Sequence, residues 1–266
     1  MSSGDPARIK DLYKQLGADW WEAQGGKLGE IPVLSLPETA PLVCACLDGV
    51  SGLVLDAGCG PNPAVSIRLA GPGGSRAGGS GAGGSARWVV SLDIGWGTVR
   101  VARSIAAAEG AVLLGVVGDV EYLPFRDGAF DGVVCDDTIE HLPDEDAGVR
   151  ELARVSRAGG TVVLATPNRH NVAILRRRAV DLLRRRGRPA SDYFVSTSHL
   201  REHTWAEAEA LVEGRFEVVG RTAVGWSGPG ARRAATRVVE LPGLFRLGQM
   251  VVLSLRPRPR RQWSAE

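Results

Sequence analysis

Cysteine is scarce in this chain, and long apolar runs are absent. The 266 residues include four cysteines, which are Cys44, Cys46, Cys59 and Cys135. None of them forms a Cys-x-x-Cys pair or a zinc-binding spacing, so the sequence indicates neither a disulfide framework nor a zinc site. No stretch of about 18 apolar residues predicts a membrane-spanning helix, and no N-terminal apolar run predicts a signal peptide. We therefore expect a reduced, cytoplasmic protein.

Lysine is also rare, and the charges nearly balance. Lys10, Lys14 and Lys27 are the only lysines among 32 basic residues, so arginine carries most of the positive charge. A net charge of +2 is too small to indicate a nucleic-acid partner, and none is expected. Residues 71–85 are almost entirely glycine, serine and alanine, a composition that cannot bury apolar surface. This segment is predicted to be a flexible insertion.

From Leu53 onward, short apolar stretches alternate with segments of helical periodicity. The predicted strands cover residues 53–55, 88–94, 111–117, 130–135, 161–165, 216–224 and 250–255. Strands that alternate with helices predict βαβ units and a mostly parallel sheet. The sequence therefore predicts an α/β fold, with residues 1–50 as a separate helical segment ahead of it.

The first predicted strand ends in a glycine-rich turn, Leu55-Asp56-Ala57-Gly58-Cys59-Gly60. Glycines after a strand let the backbone approach a ligand closely, and the next helix points its N-terminus at that ligand. A dinucleotide-binding loop would have a third glycine where Pro63 stands. An acidic residue directly before the glycines suits a ligand with a positive amino group better than a pyrophosphate.

This turn resembles the first motif of class I S-adenosylmethionine-dependent methyltransferases. Three further segments are similar to that family in the same order, namely Ser91–Ile94, Gly118–Val120 and Phe130–Leu142. Removing residues 71–85 restores the usual distance between the first two motifs. The resemblance covers residues 50–224 and implies a Rossmann-like three-layer sandwich, with a seven-stranded, mostly parallel sheet whose last strand is antiparallel.

The resemblance implies S-adenosylmethionine as cofactor and assigns residues to bind it. Asp93 would accept hydrogen bonds from both ribose hydroxyls, which a carboxylate can do. Asp119 would lie beside the adenine amino group, and the backbone amide of Val120 would face a ring nitrogen. The complete set of expected cofactor-binding residues is Asp56, Gly58, Cys59, Gly60, Asp93, Ile94, Asp119, Val120 and Asp136.

Catalytic groups are harder to assign, because methyl transfer needs a base only if the acceptor must lose a proton. His141 follows the fourth strand and His199 lies where the family builds its acceptor pocket, so both are candidate bases. Asp137-x-x-Glu140-His141 also resembles the Glu-x-x-Glu-His motif with which some ubiquinone-pathway and small-RNA methyltransferases bind a divalent cation. Asp137 replaces the first Glu, and no metal is assigned from the sequence.

The resemblance also suggests a division of the chain. Residues 1–50 would form a helical cap and residues 51–257 the cofactor-binding domain, with a basic lid over 169–201 and a loose tail over 258–266. The lid contains an amphipathic helix whose arginines are Arg176, Arg177, Arg178, Arg184, Arg185 and Arg186.

Three functions are consistent with these features. The first is methyl transfer to an oxygen or nitrogen of a small-molecule acceptor. The second uses the basic helix to reach a membrane lipid, a quinone or a nucleic acid, with peripheral contact to an anionic membrane. The third is a cofactor-binding partner protein without catalysis, which fold alone does not exclude. The oligomeric state is left open.

Overall fold

A seven-stranded sheet organises the computed structural model, which describes residues 6–23, 39–71, 87–183, 199–224, 246 and 248–259. The strands are β1 (Gly52–Ala57), β2 (Arg87–Asp93), β3 (Leu114–Val117), β4 (Phe130–Asp136), β5 (Ser156–Pro167), β6 (Phe216–Val224) and β7 (Met250–Pro257). The helices are α1 (Pro6–Ala23), α2 (Thr39–Ala45), α3 (Ala64–Ala70), α4 (Trp96–Ala108), α5 (Glu145–Val155), α6 (Val172–Leu183) and α7 (Trp205–Val212), with a 3-10 turn over Ile139–His141.

The strand order places a ligand-binding crevice beside β1. The order is β3-β2-β1-β4-β5-β7-β6, and β1 pairs in parallel with β2 on one side and β4 on the other. The chain places β2 and β3 on one side of β1 and then crosses to place β4 on the other side. A topological switch point therefore lies between β1 and β4. Open α/β sheets bind ligands at such a switch point, outside the carboxyl ends of the strands.

Both faces of the sheet are covered, which explains why its strands are apolar throughout. Val54 and Val134 pack on one face against α2 and α3, while Leu55 and Val133 pack on the other against α5 and α7. Neighbouring residues of one strand thus enter different cores, as expected for a buried parallel sheet. No helix among the described residues is long and apolar enough to cross a membrane.

The predicted fold class is confirmed. All seven predicted strands are present, and the last strand of the chain, β7, is antiparallel to both of its neighbours. Two strands begin three or more residues away from the predicted position, and the other boundaries agree within two residues. The third strand begins at Leu114 instead of residue 111, because Ala111 and Leu113 turn into the core beneath α4. The fifth begins at Ser156 and extends to Pro167, where pairing with β7 continues it.

Several predicted segments lie partly outside the described residues. Residues 72–86 contain nearly all of the predicted insertion, and residues 184–198 contain the middle of the predicted lid. The tail is described only to Pro259, and the side chain of Arg258 donates a hydrogen bond to the carbonyl of Phe216 at 3.0 Å. The proposed division into cap, domain and tail stays a prediction.

Arg154 ties the loop before β4 to α5. Its guanidinium donates to the carbonyls of Leu123 and Phe125 at 2.9 and 2.7 Å, and it pairs with Glu151 and Asp127. Four acceptors around one guanidinium fix the path of the chain from β3 to β4. That path carries Asp119, so the tether indirectly shapes the candidate site.

We predict that Arg154→Met lowers the free energy of unfolding by about 2–3 kcal/mol, because two part-buried carbonyls and a carboxylate lose their donor. Arg150→Met removes an exposed ion pair of the same helix with Asp146 and should cost less than about 0.5 kcal/mol. Chemical denaturation of both variants measures the difference. Equal effects would show that the tether contributes nothing specific.

Candidate functional site

The glycine-rich turn after β1 is held tightly against neighbouring elements. The backbone amides of Gly58 and Cys59 both donate to the carbonyl of Leu92, at 2.8 and 2.9 Å. Gly58 has a φ of +85°, and a Cβ there would collide with the side chain of Thr138. Only glycine meets both demands, so this position is explained by geometry alone. The turn lies at the carboxyl end of β1, beside the switch point.

Two carboxyl groups, the buried Asp56 and the half-buried Asp136, lie on the α2–α3 face of the turn. Asp56 accepts a hydrogen bond from Ser66 at 2.5 Å, and Ser66 also contacts Ser91. Burial raises the pKa of Asp56 to about 6, and the Ser66 hydrogen bond opposes that shift. Burial, together with the charges of Asp137 and Asp56, raises the pKa of Asp136 to about 7. Oδ1 of Asp136 has no hydrogen-bond partner among the described residues.

Asp93 ends β2 and completes an acidic set around the turn. Its Oδ2 accepts from the amide of Gly60 at 3.2 Å, and its Oδ1 accepts from the amide of Gly95 at 2.8 Å. Burial raises the pKa of Asp93 despite these hydrogen bonds. Its charge also acts on Asp56. Three carboxyl groups in a low-dielectric pocket favour a positively charged ligand, since a cation offsets the cost of ionising them.

Asp119 lies after β3 and forms an ion pair with the N-terminal helix α1. Lys10 of α1 donates to Asp119 at 2.6 Å and to the nearly buried Glu121 at 2.5 Å. Glu121 also accepts from the amide of Asp144 at the start of α5. Val120 is buried in the core beneath this turn, and Ile94 is half-buried beyond β2. The sequence did not point to Lys10 or Glu121.

The two candidate histidines come together with a buried glutamate. Ligand atoms of Glu140, His141 and His199 all lie within 4.8 Å of one another. The rings of His141 and His199 have centroids 4.9 Å apart. The hydroxyl of Tyr13 lies 2.6 Å from Nδ1 of His141. This group combines one carboxyl with two imidazoles directly after β4.

Glu140 is buried without a full set of hydrogen bonds. Its Oε2 accepts from Thr166 at 3.1 Å, while Oε1 has no partner among the described residues. Burial and the nearby Asp137 carboxyl raise the pKa of Glu140 well above its usual value. Asp137 itself has a φ of +52°, which is uncommon for a residue with a side chain. A buried polar atom without a partner requires an explanation, and a bound group would supply one.

Polar contacts hold His199 beside Glu140 and His141. The amide of Leu200 donates to the carbonyl of Glu140 at 3.0 Å, and Nδ1 of His199 contacts Glu202 at 2.8 Å. His203 then contacts Glu145 of α5 at 2.9 Å. A carboxylate on one ring nitrogen fixes the ring and directs the other nitrogen, here Nε2, at a ligand or proton. The three-residue spacing of His199 and Glu202 is a signal in the sequence from which this pair could have been predicted.

The structure thus groups the predicted site residues at one edge of the sheet. The glycine turn, Asp93 and Asp136 lie at the carboxyl ends of β1, β2 and β4, and Asp119 follows β3. His141 and His199 meet on the far side of β4. The functions assigned to these residues from the sequence are predictions that the geometry does not test by itself.

A family model built from known proteins identifies the class of domain that this chain contains. Residues 55–164 match a family model described as a methyltransferase domain. This match confirms the resemblance to methyltransferases that the sequence predicts: residues 55–164 form a methyltransferase domain within the seven-stranded sheet.

An individual relative is similar to this chain over part of its length. The ubiquinone biosynthesis O-methyltransferase of Xanthomonas oryzae pv. oryzae (strain PXO99A) is 33% identical over 162 residues, which cover 60% of each chain. This chain therefore spans about 60% of the length of the curated relative that it matches. The activity, the substrate and the partners of the whole protein are therefore proposals.

Solved structures show the same fold at low identity. The magnesium protoporphyrin IX methyltransferase of Synechocystis PCC 6803, solved with bound SAH, aligns with a TM-score of 0.57 at 18% identity, covering 96% of this chain and 100% of its own. The cyclase SpnF aligns with a TM-score of 0.58 at 16% identity, covering 95% and 97%. A cyclase among these neighbours shows that the fold alone does not decide the reaction.

We predict that affinity for S-adenosylmethionine falls as the pH drops from 7.5 to 5.5. The cationic ligand favours ionised Asp136 and Asp56, whose pKa values of about 7 and 6 mean that low pH protonates them. Each pH unit below such a pKa costs up to about tenfold in affinity for each group. Calorimetric titration across this range measures the change. Asp136→Asn should flatten the profile, and a flat wild-type profile would contradict the prediction.

Proposed function

We propose that this chain transfers the methyl group of S-adenosylmethionine to a hydroxyl oxygen of a small-molecule acceptor. The observation that carries the proposal is the juxtaposition of two sites at the switch point. An acidic pocket suited to a cationic cofactor adjoins a group of Glu140, His141 and His199 suited to a hydroxyl. The O-methyltransferase relative supports oxygen over nitrogen as the acceptor atom.

The acidic pocket would bind the two ends of the cofactor differently. Asp56 and Asp136 would offset the positive charge of the methionine part, while Asp93 would accept from the ribose hydroxyls. Asp119 would take the adenine amino group. The protein then contributes position and charge, and the cofactor supplies the reactive group.

The residues after β4 would prepare the acceptor hydroxyl. His199, oriented by Glu202, would accept the hydroxyl proton at Nε2 while the oxygen attacks the methyl carbon in line with the departing sulfur. His141 would hold the hydroxyl within reach of that attack. Burial of Glu140 and Glu202 beside them excludes water from the acceptor oxygen. S-adenosylhomocysteine leaves as the neutral thioether product.

The same three residues fit a divalent cation. A carboxylate oxygen and two imidazoles suit magnesium, manganese or a related ion, and Oε1 of Glu140 is buried without a partner among the described residues. Glu140, His141 and His199 would hold the ion, with Glu202 supporting His199 from behind. A cation there would lower the pKa of a bound acceptor hydroxyl. His199 thus replaces Asp137 as the third member of the set.

The first test is binding and then turnover. Calorimetry with S-adenosylmethionine and S-adenosylhomocysteine should show that both bind, and a panel of phenols, quinols and amines should then be screened with and without magnesium. Methylation confined to hydroxyl acceptors supports the proposal. Binding of both cofactors without any turnover favours the alternative of a non-catalytic cofactor-binding partner, whereas methylation confined to amines rejects oxygen as the acceptor atom.

We predict that Glu140→Gln lowers turnover by about 100-fold, in the range of a lost acid–base or metal-ligand group, and leaves cofactor affinity unchanged. The amide keeps the shape of the side chain and its contact with Thr166 but removes the ionisable carboxyl group. Turnover and calorimetry separate the two effects. The control is Glu109→Gln at the exposed end of α4, which should behave like the wild type. Full turnover in Glu140→Gln would contradict the proposal.

A membrane-associated acceptor is the second candidate, and α6 favours it. Leu182 and Leu183 are 78% and 84% exposed, and Leu175 is also exposed beside Arg176. The side of α6 that is buried contains Ile174 and Asp181 instead. Exposed leucines flanked by arginine are typical of helices that lie on an anionic membrane surface. The quinone-pathway relative fits this placement.

We predict that the protein binds vesicles containing anionic lipid but not neutral ones. Leu182→Ser combined with Leu183→Ser should weaken this binding by about tenfold or more, because each leucine would otherwise bury its side chain in the interface. Leu12→Ser on exposed α1 is a matched control. Sedimentation with vesicles measures the bound fraction. Equal binding of all variants would rule α6 out as the contact.

A further inference from the structure

Two buried serines form a hydrogen-bonded chain that ends on the carboxyl group of Asp56. Oγ of Ser66 in α3 donates to Oδ2 of Asp56 at 2.5 Å and lies 2.7 Å from Oγ of Ser91. Ser91 stands opposite Asp56 in the parallel pairing of β1 with β2. Both serines are fully buried, and Asp56 is 3% exposed. Three consecutive elements, β1, α3 and β2, thus contribute one side chain each to this chain of hydrogen bonds.

The direction of the hydrogen bonds follows from the number of protons. A serine hydroxyl has one proton, which Ser66 gives to the carboxyl group when Asp56 is ionised. The oxygen of Ser66 must then accept from Ser91, so Ser91 is the donor of the second hydrogen bond. Hydrogen bonds in series polarise one another, and Ser91 therefore strengthens the bond that Ser66 makes. Both serines stabilise a negative charge on Asp56.

The other titratable groups that face Asp56 do not favour its charge. Burial and the negative charge of Asp93 on β2 raise the pKa of Asp56, whereas the hydroxyl and the backbone amide of Ser66 lower it. Asp136 of β4 is a further acidic neighbour. Burial also raises the pKa of three nearby thiols, so they stay neutral. These are Cys44 of α2, Cys59 of the turn and Cys135 of β4. Among the residues that the structure describes, no basic side chain pairs with Asp56.

We propose that Ser66, supported by Ser91, is the positioning residue that keeps Asp56 ionised near neutral pH, so that Asp56 can pair with the amino group of the cofactor. The proposal rests on the proposed function for the identity of that ligand. Ser66 acts through Asp56 and not on the ligand itself. A carboxyl group that burial has neutralised cannot offset an ammonium group, so the two serines decide the pH range in which this part of the pocket attracts a cation.

A purely structural function of the two serines predicts a different result. If the serines only fill space in the core, replacing them changes affinity or stability to the same extent at every pH. If they keep Asp56 ionised, their loss matters near neutral pH and becomes negligible at high pH, where Asp56 is charged even without Ser66. The pH dependence of each variant therefore distinguishes the two.

Calorimetric titration with S-adenosylhomocysteine, which has the same amino group as the cofactor, measures affinity from pH 5.5 to 8.5. We expect Ser66→Ala to shift the midpoint of the profile upward by about one pH unit, because a hydrogen bond to a charged group is lost. Affinity should fall by about three- to tenfold at pH 6.5 and stay within about twofold of the wild type at pH 8.5. An equal loss at every pH, or no loss at any pH, would overturn the proposal.

Three further variants make the comparison specific. Ser91→Ala should shift the midpoint in the same direction by less, since Ser66 keeps its bond to Asp56. Ser66→Thr keeps the hydroxyl and should keep the wild-type midpoint. Ser156 provides the matched control, because its buried hydroxyl donates to the carbonyl of Leu152 at 2.7 Å and not to a carboxyl group. Ser156→Ala should leave the affinity profile unchanged, and a midpoint shift equal to that of Ser66→Ala would overturn the proposal.

Thermal unfolding of the ligand-free chain separates failure of this proposal from failure of the proposed function. The pKa of Asp56 in the folded chain lies above its ordinary value, so stability is lost as the pH rises through that range and the buried group ionises. Ser66→Ala raises this pKa further. Its melting temperature should therefore differ little from that of the wild type at pH 5 and more at pH 8. A difference that does not change with pH overturns the proposal whatever the chain binds. A growing difference in a chain that does not bind S-adenosylhomocysteine rejects the proposed function, and with it the pairing of Asp56 with an amino group.

Discussion

One buried and two half-buried carboxyl groups, those of Asp56, Asp93 and Asp136, lie where β1, β2 and β4 end, and the rest of the site depends on how their charge is offset. Serine hydroxyls and backbone amides compensate only part of the cost, so burial still raises the pKa of Asp56 and Asp136. A bound cation at the switch point would stabilise the ionised form of these carboxyl groups. The sulfonium and amino groups of S-adenosylmethionine have that charge, which links the electrostatics of the turn to its proposed ligand.

The second half of the site is assembled by segments that are distant in the chain. The stretch from His199 to Thr204 is pinned at three places, to Glu140, to Glu145 and to Glu207 through the capping box of α7. This pinning brings an oriented histidine to a buried glutamate and a second histidine. A proton acceptor or a divalent cation can use that arrangement, and both chemistries serve a hydroxyl acceptor.

The two halves meet along the carboxyl edge of the sheet, and the N-terminal helix also contacts both of them. Lys10 binds the cofactor side and Tyr13 the acceptor side, while no described side chain of α1 enters a core. The sheet thus supplies the positions of the charged groups, and α1 adds a contact to each half.

The sequence by itself determined the fold class and the acidic residues of the turn, because those features are local. Apolar runs separated by helical periodicity specify parallel strands, and a residue at the end of such a strand necessarily lies at the carboxyl edge of the sheet. Only the tertiary structure decided that His199 meets Glu140 and His141, and that Lys10 binds Asp119 across 109 residues of sequence. Periodicity specifies an element but not the point on the domain where a connecting segment returns. That point is set by long-range packing and by polar contacts between segments, which no local pattern records.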